Sequence, residues 1–375
     1  MIYNKYGNTN IMVSAIGMGG MRFQNQDDIQ ANAQIVKAAY DKGINYFDTA
    51  PGYGRSEEIY GQAFKQMKKT RSEKPFYAAT KSMEKTPDGV KKDLHTSLER
   101  LNLDYIDFFH LWCVITLEEY AERKKIGVLK ELEKLKEQGL IRHICVSTHL
   151  PGDDIAKLLS DFPFDGVLLG YSAMNFPFRE KGIQAAADSN IAVAVMNPLG
   201  GGIIPNHPDI FDFLRSTPDE TVNEAALRFL INDKRITTAL VGFSSLEHVD
   251  EAVSAVDGFT AIDDERIAQI KNSLNENFNE LCTGCRYCDI CPEDIPVPKL
   301  MDAYNHKLLD PSEPITQYLS MYWSIKPDNN ILYACTECGK CEQACTQHLP
   351  VRERIKQIAQ EANASLKKNK KPKPD

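Results

Sequence analysis

The sequence predicts an α/β chain: a parallel (β/α)8 barrel of the TIM type, followed by a small and mainly α-helical second domain. Three observations lead there. Eight short apolar, β-branched runs alternate with longer amphipathic stretches between about residues 12 and 258. The runs are nearly continuous in apolar character, as strands buried on both faces must be. Eight of the ten cysteines are crowded beyond residue 281. A doubly wound open sheet is the alternative for the first part, but eight repeats over about 250 residues favour closure.

The strand runs, in order, are VSAIGM, INYFDTA, FYAATK, YIDFFHL, HICVST, DGVLLGY, IAVAVMN and ITTALVG. Between the first two lies DIQANAQIVKAAYDKG, an amphipathic helix closed by a glycine. TPDGVKKDLHTSLERLN offers Thr86 as N-cap and Pro87 at the first helical position. VLKELEKLKEQG repeats the pattern and ends at Gly139. Residues 259–281 read as a last helix, DDERIAQIKNSLNENFNEL, leading into the first cysteine run. The segment from Pro292 to Ala334 has helical patterns, PKLMDAYNHKLL and PITQYLSMYWSI, and VRERIKQIAQEANASL adds another helix after Cys345. The expected division is a barrel over residues 1–275, a helical cysteine-rich domain over 276–362 and a basic, disordered tail over 363–375.

Bulk composition narrows the partners. A net charge of −8 argues against nucleic acid, which would want a basic face. The single basic run, LKKNKKPKPD, reads as a solvated end. The start has no basic segment followed by an apolar one, and no apolar run approaches the roughly 18 residues that span a bilayer. A cytoplasmic protein is therefore expected, with no membrane span. In that reducing setting a dense set of cysteines means metal more often than disulfides.

Active sites of such barrels gather at the C-terminal ends of the strands. Polar residues closing the apolar runs are therefore the candidates. INYFD ends in Asp48, with Tyr53 in the loop behind it; FYAATK ends in Lys81 and YIDFFH in His110. A phenol of reference pKa ~10 donates a proton poorly unless a cation assists it. Lys81 supplies the cation, Asp48 holds it charged and in place, and His110 orients a carbonyl oxygen. Together they suit carbonyl polarisation with proton delivery to oxygen as hydride reaches carbon.

These segments resemble the aldo-keto reductases, (β/α)8-barrel oxidoreductases that use nicotinamide cofactors. IGMGGMR, YFDTAPGYGRSEEIYGQAF, ATK, DFFHLW, IRHICVST and VGFSSLEHV carry the resemblance across residues 1–275. It implies that Tyr53 is the general acid, assisted by Asp48, Lys81 and His110, with hydride from C4 of the nicotinamide and a small carbonyl substrate.

No strand–GxGxxG–helix unit is present, so a Rossmann site is not expected. The loops after strands seven and eight, where barrels commonly bind phosphate, are NPLGGG and VGFSSLEHV. Asn197, Pro198, Leu199, Gly200 and Gly201 form the first; Gly242, Ser244, Ser245 and His248 lie in the second. Their glycines let backbone N–H groups approach a pyrophosphate, and Ser244–Ser245 open a helix whose N-terminus favours an anion. The resemblance adds Gly19, Met21, Ser147 and Thr148 to the cofactor contacts. It also shows departures, since Leu168 and Thr148 stand where the family usually has Gln and Asn. With no Arg or Lys in GFSSLEHVDEAV, NADP over NAD rests on the family alone.

The cysteine runs are Cys282-x2-Cys285-x2-Cys288-x2-Cys291 and Cys335-x2-Cys338-x2-Cys341-x3-Cys345. This spacing suits two 4Fe–4S clusters better than zinc, whose sites usually draw on separated C-x2-C pairs. Two-cluster ferredoxins hand the fourth cysteine of each run to the other cluster. That rule groups Cys282, Cys285 and Cys288 with Cys345, and Cys335, Cys338 and Cys341 with Cys291. An all-local assignment is the alternative. The helical spacer makes this part similar to an α-helical dicluster ferredoxin domain, although Thr346 stands where Pro often follows the last ligand. Cys113 and Cys145 read as structural. The leading expectation is thus an aldo-keto reductase joined to a two-cluster module. One alternative is an electron-transfer protein exchanging electrons between a barrel-bound nicotinamide or flavin and a ferredoxin-type partner; no residue pattern indicates the flavin. A non-catalytic redox-sensing subunit is the other.

Overall fold

The computed structural model describes residues 1–174, 176–273, 280–309, 311 and 314–369, and the chain divides into two compact units, Met1–Leu274 and Asn275–Asp375. In the first, β1 (Tyr3–Lys5) and β2 (Met12–Ser14) form an antiparallel ribbon with Tyr3 opposite Ser14. Eight parallel strands then close a barrel. They are β3 (Ile16–Gly19), β4 (Tyr46–Asp48), β5 (Tyr77–Ser82), β6 (Ile106–Val114), β7 (Ile141–Thr148), β8 (Gly166–Gly170), β9 (Ala192–Met196) and β10 (Thr238–Val241), with β10 pairing β3. Each overlaps one of the eight runs, and β3, β5, β6 and β7 extend beyond theirs. The run VSAIGM, however, holds parts of two strands. Ser14 ends the ribbon by accepting and donating locally: its N–H donates to Asn45 Oδ1 at 2.7 Å, and its hydroxyl donates to the Ile16 carbonyl at 2.6 Å.

Helix ends follow the capping chemistry of the sequence. The Thr86 side chain accepts from the Gly89 N–H at the start of the helix Pro87–Leu101. Asp28 does the same for Ile29–Asp41, and Thr221 with Glu224 forms a reciprocal capping box.

Inside the barrel, Tyr46, Ala79, Phe108, Cys145, Leu168, Ala194 and Leu240 pack together with Tyr6 and Val13. Side chains on a strand return to the same face every second residue. Toward the strand C-termini, Asp48 therefore follows Tyr46 on the inward face of β4, Lys81 follows Ala79 on β5, His110 follows Phe108 on β6 and Ser147 follows Cys145 on β7. The packed layer below makes a rigid floor for them. Cys145 belongs to that floor, 3.5 Å from the Tyr6 hydroxyl, as a structural cysteine should.

The second unit is helical among its described residues. The helices Val297–Leu309, Ile315–Trp323 and Val351–Asn369 pack Val297, Leu300, Ile315, Leu319, Val351 and Ile355 around the buried Cys288, Cys341 and Cys345. The last helix runs to Asn369, so the tail expected from residue 363 is helical for that part; its remaining residues lie outside the described ones. The helix expected over 259–281 is present as Asp264–Ser273, and residues 274–279 also lie outside. No described helix is long and apolar enough to cross a membrane.

Candidate active site

Asp48, Lys81 and His110 sit on three adjacent, hydrogen-bonded strands, with Asp48 paired to Ala79 and Lys81 paired to His110 in register. Lys81 is fully buried, and its Nζ donates to both Asp48 carboxylate oxygens, at 2.6 and 2.5 Å. Burial disfavours both charges: it pushes the Asp48 carboxyl up and the Lys81 ammonium down, and each is partly restored by the other. Glu57, also buried, adds a favourable charge near Lys81; it accepts from the Thr80 hydroxyl at 2.8 Å and meets Arg100 at 3.4 Å.

Tyr53 comes from the loop behind β4. Its ring centroid is 5.4 Å from Lys81 Nζ and lies edge-on to Trp112 at 5.6 Å. The loop is held at several points. Tyr53 N–H donates to the Ala50 carbonyl at 3.0 Å, and Arg55 N–H donates to the Gln26 side chain at 2.7 Å. Gly52 is needed for a close approach, because a Cβ there would stand 2.8 Å from the Trp112 ring.

His110 is fully buried, and burial followed by the Lys81 charge holds its imidazole well below its usual pKa. The ring is therefore neutral and able to donate one N–H. A stability consequence follows, with its sign set by that depression. The unfolded chain takes up a proton at His110 below about pH 6.5, whereas the folded chain does not. Stability associated with His110 is full above that pH and declines as pH falls toward the folded value. Thermal melts from pH 8 to pH 5 should show wild type losing more stability on acidification than His110→Gln; parallel curves would refute the assignment.

The cofactor candidates separate. Gly200, Gly201 and Gly202 all have positive φ (64°, 72° and 108°), and a Cβ at Gly200 would run into Met174. Asn197 also has positive φ (56°) and accepts from the Gly200 N–H, which tightens the loop around buried Pro198 and part-exposed Leu199. Ser245 caps the helix Leu246–Ser254 by accepting from His248 N–H, and Ser244 Oγ lies 3.1 Å from His248 Nδ1. Gly19 ends β3, with exposed Met21 just beyond. Ser147 shares the inward face with His110, but the Thr148 hydroxyl donates to the Val114 carbonyl at 2.9 Å and accepts from Leu150 N–H at 3.1 Å. Leu168 is buried on β8 and pairs in register with Ser147, so an apolar side chain stands beside the mouth there.

Three site residues escaped the sequence reading. Arg22, from the loop after β3, packs its Cβ near Gly242 and donates from Nη2 to the Gly201 carbonyl at 3.4 Å. It brings a cation to loops that lack one. Trp112 and Cys113 form a bulge in β6: the register with β7 shifts between Leu111 and Val114, and buried Cys113 has φ of 58°. Such a backbone for a non-glycine residue is uncommon and concentrates at functional sites. The bulge sets Trp112 against Tyr53. Only the motif IGMGGMR contained a signal for Arg22, and nothing local marked Cys113.

In the second unit all eight cysteines of the two runs are free thiols. Cys282 interacts electrostatically with Cys285 and Cys345, and Cys288 with Cys282, Cys285 and Cys345. Cys341 interacts instead with Cys291 and Cys335. Cys338 is not among these neighbours. Burial pushes the Cys282 thiol up to about 12 and raises Cys288, Cys341 and Cys345 as well. Cys338 is exposed. Among the described residues no three His, Cys, Asp or Glu are arranged to hold a metal ion.

Comparison with known proteins concerns the first unit. A family model described as "Aldo/keto reductase family" matches residues 15–275, ending before the first cysteine run. The chain is 28% identical over 305 residues to L-galactose dehydrogenase of Arabidopsis thaliana, covering 72% of this chain and 92% of that one. It is 27% identical over 223 residues to the NADH-specific methylglyoxal reductase of Escherichia coli, covering 53% and 67%. In fold it is similar to aldo-keto reductase AKR11C1 from Bacillus halodurans (holo form), with a TM-score of 0.64 at 23% identity over 73% of this chain and 96% of that one.

Proposed function

The chain belongs to the aldo/keto reductase family of NAD(P)-dependent oxidoreductases, and from that premise we propose that it reduces a small carbonyl compound with Tyr53 as general acid. The observation that carries this is the buried Asp48–Lys81 pair, with Lys81 Nζ 5.4 Å from the Tyr53 ring and a neutral His110 on the next strand. NAD(P)H, when bound, supplies hydride to the carbonyl carbon. The residues do the rest. His110 donates its N–H to the carbonyl oxygen and orients it. Tyr53 gives that oxygen its proton, and the Lys81 charge stabilises the phenolate left behind. Trp112 walls the mouth beside Tyr53 and limits water.

The loops fit a dinucleotide phosphate. Gly200–Gly202 form a glycine cradle, Ser245 opens a helix of nine residues beside it in the chain's last barrel loop, and Arg22 supplies positive charge. Arg22→Ala should raise KM for NADPH about tenfold with kcat little changed, the signature of lost uniform binding. Initial-rate measurements with NADPH and NADH check it; an unchanged KM for both removes Arg22 from the cofactor site.

The second unit fits two 4Fe–4S clusters, one held by Cys282, Cys285, Cys288 and Cys345, the other by Cys291, Cys335, Cys338 and Cys341. Support comes from the spacing of the two runs and from burial of Cys288, Cys341 and Cys345, whose thiols burial pushes up, so bare thiolates there need a cationic core to be stable. A cluster also spreads its ligands around its own width, more widely than one ion would. Such clusters exchange single electrons, and their reduced thiols suit the cytoplasm. Exposed Cys338 supports a second reading, in which one cluster passes electrons to a ferredoxin-type partner. The test is anaerobic assay of the purified chain with NAD(P)H and a panel of aldehydes, followed by visible and EPR spectra. Turnover without cluster bleaching supports the reductase; bleaching by NAD(P)H, accelerated by ferredoxin, supports the electron-transfer reading. Failure to turn over any carbonyl overturns the first.

A further inference from the structure

Burial makes a cluster harder to reduce, because the added electron increases negative charge away from water. The group formed by Cys282, Cys285, Cys288 and Cys345 is the more deeply set of the two, and its surroundings contain donors that no role described above accounts for. Thr346 is 1% exposed, and its Oγ1 lies 3.2 Å from Cys285 Sγ. A ligating thiolate carries no proton, so in the loaded protein the hydroxyl is the donor. Gly284 N–H donates to Cys282 Sγ, and Leu349 N–H donates to Cys345 Sγ, each at 3.4 Å.

Arg354 is the second unusual neighbour. Its side chain is 2% exposed, its guanidinium lies 4.6 Å from the Tyr304 ring centre, and Nη2 is 3.7 Å from Glu280. Nη1 is buried and has no hydrogen-bond partner among the described residues. A buried, unpartnered guanidinium nitrogen is costly unless an anion faces it. Cys282 and Cys345 are both among its electrostatic neighbours. Near the other group the cation is Arg352, which is half-exposed and paired with Glu342, so its charge is largely neutralised and screened.

We propose that Thr346 and Arg354 are positioning residues that raise the reduction potential of the cluster held by Cys282, Cys285, Cys288 and Cys345. A positive charge and hydrogen bonds to ligand sulfur favour the form carrying the extra electron. Thr346 thus gives a use to the position where a proline often follows the last cysteine. This inference rests on the cluster reading of the second unit.

The test is an EPR-monitored titration of the reconstituted full chain, with dithionite supplying one electron per cluster through mediators. Iron and sulfide analysis of wild type comes first; a chain that takes up neither refutes the cluster reading itself. With clusters present, Arg354→Met should lower the equilibrium constant for reducing this cluster roughly tenfold, about 59 mV for one electron. Thr346→Val should shift it in the same direction by roughly threefold. Arg354→Lys, keeping the charge, should recover most of the loss. Should Arg354→Met fail to fold or load, Thr346→Val and Arg354→Lys decide the matter. A Thr346→Val midpoint equal to wild type, in a protein with full iron content, overturns the proposal.

Discussion

Tyr53→Phe should lower kcat for carbonyl reduction by roughly 10²- to 10⁴-fold, the usual loss when a positioned proton donor is removed. Cofactor affinity should stay within about twofold, because the change deletes one oxygen far from the phosphate loops. The ring is the part that packs: it meets Trp112 edge-on and lies near Lys81, and phenylalanine keeps both contacts. Stability should therefore change little, which separates a lost proton from a lost fold. Steady-state kinetics with a reactive aldehyde, cofactor titration by fluorescence and a thermal melt make up the measurement. Full activity in the variant would show that another group, or water, delivers the proton, and the assignment of Tyr53 would fall.

Lys81→Met should cost both activity and stability. Its removal leaves Asp48 buried without a counter-charge, which typically costs about 3–5 kcal/mol. Phenolate stabilisation is lost at the same time, so turnover should fall by at least roughly a hundredfold. The pair itself is not a stabilising device. Burial raises the Asp48 pKa, so its contribution favours the folded state at low pH and is lost as pH rises through the folded value. Burial lowers the Lys81 pKa, so its contribution is present above the ordinary lysine range and is lost as pH falls through the folded value. For each partner, burial outweighs the attraction of the other. Lys81→Met combined with Asp48→Leu should accordingly regain wild-type stability at pH 7, or exceed it, while remaining inactive. Denaturant melts of the three proteins test this. A double variant as unstable as the single one would mean that the pair braces the barrel for its own sake.

The eight strand runs and the grouping of Asp48, Lys81 and His110 were legible for one reason. A polar residue that closes an apolar strand is conspicuous, and in a closed parallel barrel the strand ends converge. Asp48, Lys81 and His110 needed no more than that. Thr86 before Pro87 was equally plain, since capping is local chemistry. Other features depend on phase or on distance in the chain. Leu168 is in register with Ser147, a pairing that only the alignment of two remote strands reveals. Thr148 looked available, yet its hydroxyl is taken by the turn it helps to form. The positive φ of Cys113 has no marker in residue type, and it changes which way Trp112 points. Arg22 reaches the cofactor loops from the other end of the barrel sequence. Cysteine spacing left the crossed and local groupings equal, and the nearness of Cys345 to Cys282 and Cys288 depends on contacts between segments remote in the chain.

The crossed ligation proposed above would also have a consequence in time. As the chain is synthesised, Cys282, Cys285 and Cys288 emerge together, but their fourth partner, Cys345, comes only after both intervening helices. Cys291 in turn waits for Cys335, Cys338 and Cys341. Neither site is complete until the second run has been made, and each then encloses a long loop of chain, which ties the ends of the unit together. Metal acquisition under the proposed ligation is therefore a proofreading step: a chain broken off between the two runs has cysteines but no finished site, and only an uninterrupted one can be charged.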